Sequence, residues 1–306
     1  TNLVTYSEDF SHSSWLKNGV GTGVAPVVTL NAAESPDGTQ NATKVVFDTG
    51  SGTTTNDVST LEDLFSATNG ASYTQSIYLK GETGGEKILL RHAGLSAYTT
   101  ITLTTEWARY EVTETAIQTF GYYSIGLRQG LGGVVMNSSI TVYAYGAQVE
   151  TGSVATSLIP TSGSTATRAK DDLEITGSDF TGFFNNSEGT FYVETTIAQP
   201  EKQYAILRGG STNQLFIYSN NDRNHLFYDG NPTTNFGLVT ANQLSRFALS
   251  YKSGNITASL NGSQNTGTPS GLLASSTKLE IGTGYNPDFN GHIKRVLFWP
   301  THSSRL

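Results

Sequence analysis

Short runs in which apolar and polar side chains alternate recur from one end of this chain to the other, each closed by Gly, Asn or Asp. Clear cases are 73–80, 99–104, 121–128 and 140–145, then 190–197, 205–208, 214–218 and 246–251, and finally 255–260, 278–281 and 292–299. A period of two puts successive side chains on opposite faces of a pleated strand, so each run can bury one face only. Many such runs joined by turn residues specify antiparallel sandwiches. The expected fold class is all-β, with two tandem antiparallel β-sandwiches. Ser59 to Phe65 is the one stretch that could instead form a turn or two of helix.

Composition agrees with the pattern. The 33 Gly, 15 Tyr and 14 Phe suit turns and half-buried pleated surfaces, and charged residues are only 14% of the 306. The net charge is −7 and neither Lys nor Arg forms a run. That argues against nucleic acid, whose phosphates need cationic partners, and equally against an anionic membrane. No residue is cysteine, which excludes disulfides, thiolate metal sites and a catalytic thiol. No apolar run reaches the length of a membrane span. No signal peptide is read at the start, and an opening at Thr1 is expected of a fragment or a processed product.

The small, polar stretch Pro160 to Thr167 reads as a linker, followed by a charged cluster from Arg168 to Asp172 that reads as a solvated hinge. Domains are therefore expected at 1–167 and 168–306.

Several motifs of the first part carry a resemblance. They are Asn2 to Phe10 with Trp15, Ser35 to Thr39, Ala42 to Val45, the strand from Tyr73 to Lys80, Thr104 to Tyr110, and Tyr145 to Gly152 leading into Ala155 to Thr161. In this order they resemble a module of phage tail and other virion proteins related to jelly-roll carbohydrate-binding modules. Glu188 to Val193, the Asn261-Gly262 turn and Phe289 to Pro300 resemble a concanavalin A-like, laminin-G-type lectin domain, as in phage adhesins. The pairing implies a spike or fibre on the virion surface, outside the cell, that attaches to capsular or other cell-surface polysaccharide. A homo-oligomer or other virion proteins are the expected protein partners.

Catalysis finds little support. Glycoside hydrolysis needs two carboxyls about 5–10 Å apart across the bond, and concanavalin-like glucanases supply them from one strand in a Glu-x-Asp-x-x-Glu pattern. Here Glu194 and Glu280 stand alone in their strands, and the five His residues lack metal-ligand spacing. No nucleophile elbow, His-Glu-x-x-His helix or phosphate-binding glycine loop is present. The reading is a non-enzyme. Its rivals are a polysaccharide hydrolase or lyase, or its binding portion, and a structural decoration or fibre protein working through protein contacts.

A sugar offers an apolar C–H face to aromatic rings and hydroxyls to planar amide or guanidinium groups. Alternation places Tyr123, Ile125 and Leu127 inward and Tyr122 and Arg128 outward, and likewise Ile77 and Leu79 inward with Tyr78 outward. If these strands share a sheet, Tyr78, Tyr122 and Arg128 converge, with Arg91 and Gln148 as neighbours. In the second domain the polar loop Asn221, Asp222, Arg223 and His225, followed by Tyr228, is the candidate ligand-binding segment, with a second loop at Tyr285 to Phe289. Trp15, Trp107 and Trp299 all read as structural, and Tyr110 as core.

No cofactor is required, but modules of the kind the first part resembles often carry a structural calcium. Glu8, Asp37 and Glu150, with Asp9 nearby, would be its carboxylate ligands. Five Asn-x-Ser/Thr sequons, at Asn41, Asn137, Asn185, Asn255 and Asn261, are what chance gives in a chain of this composition.

Overall fold

Asn2 shows why the opening motif has the residues it has. Its fully buried amide donates to the carbonyls of Ala147 and Ile159, while its Oδ1 accepts from the Val4 and Val149 N–H groups. A buried amide with every bond made is worth its desolvation, and this one fastens the start of the chain to a long strand and to the segment after it. In the computed structural model, residues 1–304 are described except 94–97, 135, 170–171, 199, 201–202, 211–214, 221–223, 229–231, 254, 268–275 and 283–288. Side chains at 91–93, 98, 203, 215, 220, 224, 226–228 and 232–233 also lie outside the description. The chain divides into two compact units, Thr1–Arg168 and Ala169–Leu306.

The first unit contains β1 (Leu16–Val20), β2 (Val24–Ala33), β3 (Ala42–Asp48), β4 (Val58–Ser66), β5 (Ser72–Gly81), β6 (Lys87–Ala93), β7 (Tyr98–Thr102), β8 (Ala108–Thr115), β9 (Phe120–Arg128) and β10 (Ser139–Thr151). They form two antiparallel five-stranded sheets in the orders β1-β4-β9-β6-β7 and β2-β3-β10-β5-β8. From β3 onward, consecutive pairs β3/β4, β5/β6, β7/β8 and β9/β10 fall in opposite sheets, which is jelly-roll connectivity. Phe47, Leu61, Ile77, Leu79, Tyr123, Ile125, Leu127 and Val142 are fully buried between the sheets. Polar bonds also cross that core. Tyr123 Oη donates to the Ser76 carbonyl at 3.2 Å, and Gln75 Nε2 to the Ser124 carbonyl at 3.2 Å.

Two expectations are corrected here. Ser59 to Phe65 is not helical but the middle of β4, paired along its length with β9. Its Leu and acidic residues favour helix in isolation, yet Leu61 and Phe65 are buried on the core side while Glu62 and Leu64 face out, so tertiary pairing decides. Pro160 to Thr167 is not a free linker. Backbone bridges Tyr6↔Ser162 and Asn2↔Ala166 pin it to the start of the chain.

The second unit contains β11 (Leu173–Thr176), the one-turn α1 (Gly177–Thr181), β12 (Glu188–Ile197), β13 (Gln203–Arg208), β14 (Leu215–Asn220), β15 (Asn224–Tyr228), β16 (Pro232–Leu238), β17 (Leu244–Lys252), β18 (Asn255–Leu260), β19 (Ser263–Gly267), β20 (Lys278–Ile281) and β21 (Gly291–Trp299). Its sheets run β11-β20-β13-β14-β15-β16 and β19-β18-β17-β12-β21. The core is aromatic, with Phe191 4.8 Å from Phe298 and 5.0 Å from Phe216 between ring centres. Asn261 and Gly262, both at positive φ (51° and 90°), make the tight turn between β18 and β19 that their sequence predicts.

Candidate functional site

The residues expected to converge in the first unit do not. Tyr78 lies on β5 and Tyr122 and Arg128 lie on β9, in different sheets. Each points away from the core as alternation requires, so they face out from opposite sides of the sandwich. Arg91, on β6, is paired with Ser124 of β9, and its side chain lies outside the described residues. Arg128 Nε donates to the Thr55 carbonyl at 2.7 Å. Tyr122 stands edge-on to Phe120, with ring centres 6.0 Å apart.

Gln148 is spent internally. It is fully buried, accepts from the Ile159 N–H at 2.7 Å and donates to Glu150 Oε2 at 2.7 Å. Glu150 in turn takes the Thr156 N–H and hydroxyl, each at 2.7 Å. The Tyr145 to Gly152 motif therefore clamps the segment that follows it. On the same outer face, Arg109 covers the Tyr78 ring at 5.5 Å, and Lys80 Nζ sits 5.1 Å from the Trp107 ring centre and 5.2 Å from that of Tyr143. Trp107 is thus half-exposed on the outer side and is not a core residue, contrary to its reading from sequence. Tyr110 packs against the core as expected, and Trp15 is buried in it.

Of the carboxylates expected to hold calcium, Asp37 and Glu150 are hydrogen-bonded within the first unit. Asp37 accepts from Ser35, Thr39, Asn41 and Tyr145, and the Thr39, Ser35 and Tyr145 hydroxyls, in that order, hold its carboxyl far below the usual range. Glu150 is committed to Thr156 and Gln148. Among the described residues no three acidic or imidazole groups come together as a metal site.

In the second unit Asn221, Asp222 and Arg223 lie outside the described residues, as does the loop 285–288. Tyr228 ends β15, its side chain likewise outside the description. His225 is corrected. It is fully buried, shares a 2.8 Å hydrogen bond with Tyr204 Oη and packs on Phe247, so it belongs to the core and not to a surface loop.

A groove of about 630 Å³ instead lies on the outer face of β12, β17, β18 and β21. Inward Phe191, Val193, Phe247 and Leu249 leave Thr190, Tyr192, Arg246 and Ala248 outward. Register sets Trp299 beside Thr190, Tyr192 beside Ala248, and Ala248 beside Ser259, so small side chains make the floor. Asn261 and Gly262 bound one end. At the other the chain after β21 folds back, the Thr301 carbonyl accepting from the Thr190 hydroxyl at 2.8 Å and the Ser303 N–H donating to the Ser250 hydroxyl at 2.7 Å. Trp299 is 47% exposed, a correction to its structural reading. The run from Val296 to Trp299 is apolar throughout, so its sequence did not reveal which residues face the core; Phe298 does, and Trp299 therefore does not.

Glu194 organises the charges beside the groove. It is paired in register with Arg246 on one side and Arg295 on the other, and accepts from Tyr192 Oη at 2.8 Å and Arg246 Nε at 3.4 Å. The Tyr192 hydroxyl, then Arg295, Arg246 and Lys294, hold its carboxyl below the ordinary range despite partial burial. Among the described residues no carboxylate lines the groove itself. The groove thus brings together an aromatic ring, a guanidinium and an amide around a shallow floor of hydroxyls and a methyl.

No protein-family model matches the chain, and no curated protein sequence matches it. Among solved structures it is similar to TmCBM61 in complex with β-1,4-galactotriose, at 15% identity and TM-score 0.33 over 50% of this chain and 99% of that one. It is similar to the CBM22-1-CBM22-2 tandem domain of a Paenibacillus barcinonensis protein at 10% identity and TM-score 0.34, over 96% and 97% of the two chains. Domains LG4-5 of the mouse laminin alpha1 chain give 8% identity and TM-score 0.34 over 77% and 84%. The neighbours include carbohydrate-binding modules and laminin G-type domains, and at this level of likeness they do not speak to what this chain binds.

Proposed function

We propose that this protein binds glycans without cleaving them, through the groove on the second unit. The observation that carries the reading is the exposed Trp299 ring beside a floor bounded by Tyr192, Arg246 and Asn261. An aromatic plate suits the C–H face of a sugar, and guanidinium and amide groups suit its hydroxyls. In this proposal the chain is displayed at a virion surface, outside the cell, and attaches a phage or phage-like particle to capsular or other surface polysaccharide. A shallow site binds weakly alone, and repeated copies gain avidity.

The test is binding of the whole chain to a panel of bacterial surface polysaccharides, with polymer length followed in the same samples. Binding with unchanged polymer length, lost on Trp299→Ala, is the expected result. Shortening of the polymer would replace the reading with an enzymatic one, and no binding to any polymer would end it.

One observation favours a protein-contact role as a second reading. Leu16 (45% exposed), Val20 (53%), Leu64 (54%) and Phe120 (43%) lie on β1, β4 and β9, in one sheet of the first unit. Exposed apolar residues on one face suit a neighbouring subunit. Dimer or trimer mass in light scattering, shifting to monomer on Leu64→Lys, supports it.

A further inference from the structure

We infer that the groove selects carboxylate-bearing, anionic glycans over neutral ones, an inference that rests on the glycan-binding reading above. Arg246 is the reason. Its backbone is fixed in both directions by Asn261, whose N–H donates to the Arg246 carbonyl at 2.9 Å and whose Oδ1 accepts the Arg246 N–H at 2.9 Å. Its side chain is 53% exposed and meets Glu194 through Nε alone. Among the described residues the two terminal Nη groups have no other partner, so the planar fork that pairs bidentately with a carboxylate is open to the groove.

The surrounding charge points the same way. Three cations, Arg246, Arg295 and Lys294, act on the single acid Glu194, and Arg295 is itself 55% exposed and 3.9 Å from that carboxylate. At the far end Glu188 and Lys252 face each other in register and offset one another. Arg246 is the charged side chain in the groove's described lining, with Arg295 and Lys294 beside it around Glu194, so this place is locally cationic on a chain of net charge −7. An acidic polymer is repelled by the molecule as a whole and attracted at this place, which favours one docking position. Trp299 and Tyr192 supply the contact that a simple anion could not use.

The experiment compares polygalacturonate with its full methyl ester, which has the same sugar without the charge. Alginate and hyaluronate serve as further acidic polymers, and dextran and galactan as neutral ones. Acidic polymers should bind better than neutral ones, and raising salt from about 50 mM to about 0.5 M should weaken them. Arg246→Gln should lower their affinity roughly 10- to 100-fold, with Arg246→Lys intermediate because it keeps charge and loses the fork. Arg295→Gln tests the same field without touching the hairpin, and an unchanged melting temperature in each variant separates a lost contact from lost folding. Equal binding of acid and ester, indifferent to Arg246→Gln, would overturn this inference and leave glycan binding intact. Failure of every polymer, acidic and neutral, overturns both.

Discussion

On the outer face of β5, β8 and β10, aromatic and charged side chains serve one another. Lys80 lies between Trp107 and Tyr143, Arg109 covers Tyr78, and Gln148 and Glu150 hold the segment that follows them. On the outer face of β12, β17, β18 and β21 the same kinds of residue stand open, with Trp299 uncovered and Arg246 joined to the protein by one nitrogen. Composition does not separate the two surfaces. What separates them is whether each polar group already has its partners, because a satisfied buried amide has nothing left to offer a ligand.

The sharpest way to break this contrast is a pair of tryptophan variants. Trp299→Ala should weaken polysaccharide binding by at least about 2 kcal/mol, roughly 30-fold, as for a central aromatic anchor. Trp107→Ala should leave affinity unchanged in the same titration. Equal losses from both would show that the occupied face binds too.

Gln148 gives the converse. Replacing it with Ala leaves the Ile159 N–H and the Glu150 carboxylate short of partners, so the first unit should lose about 2–3 kcal/mol of stability in denaturant melts. Glycan affinity should be unaltered.

Asp63 sharpens the comparison through pH. It is buried on the core side of β4, and burial pushes its carboxyl up to about 6, against hydrogen bonds from the Thr5 and Leu64 N–H groups. A raised acid binds its proton more tightly folded than unfolded. The stability it gives is full below the unfolded value of 3.8 and is lost as pH rises to about 6. Asp63→Asn should remove that slope and stabilise the first unit above pH 6 by on the order of 2 kcal/mol, measured by melting across pH 4 to 8. An unchanged slope would refute the assignment.

Least is expected of Lys44 and Glu82, whose 3.0 Å pair is half-exposed. Lys44→Ala should leave the melting temperature almost unchanged, because solvent screens an exposed pair.

The strands were legible because period-two alternation is a direct imprint of one buried face. The jelly-roll connectivity was not, since alternation tells which way a side chain points and not which sheet its strand joins. Tyr78 and Tyr122 show the gap: both directions were read correctly, and the two residues still face opposite ways out of the sandwich. The groove was half legible. Phe247, Leu249 and Tyr251 leave Arg246 no place but the outer face, whereas the all-apolar end of β21 conceals which way Trp299 points. His225 was misread because a polar run in sequence resembles a loop, and its Tyr204 partner lies 21 residues away.

Asn2 has a mechanical consequence. Thr1 and Thr167 join hydroxyls at 2.6 Å, so the first unit enters and leaves through one spot. A tug between its two ends does not shear whole strands at once. It opens the Asn2↔Ala166 bridge and then Tyr6↔Ser162, one after the other, like a zip. The buried Asn2 amide is the stop on that zip, and a module with adjoining ends can also be spliced into a loop of another protein with little disturbance to either.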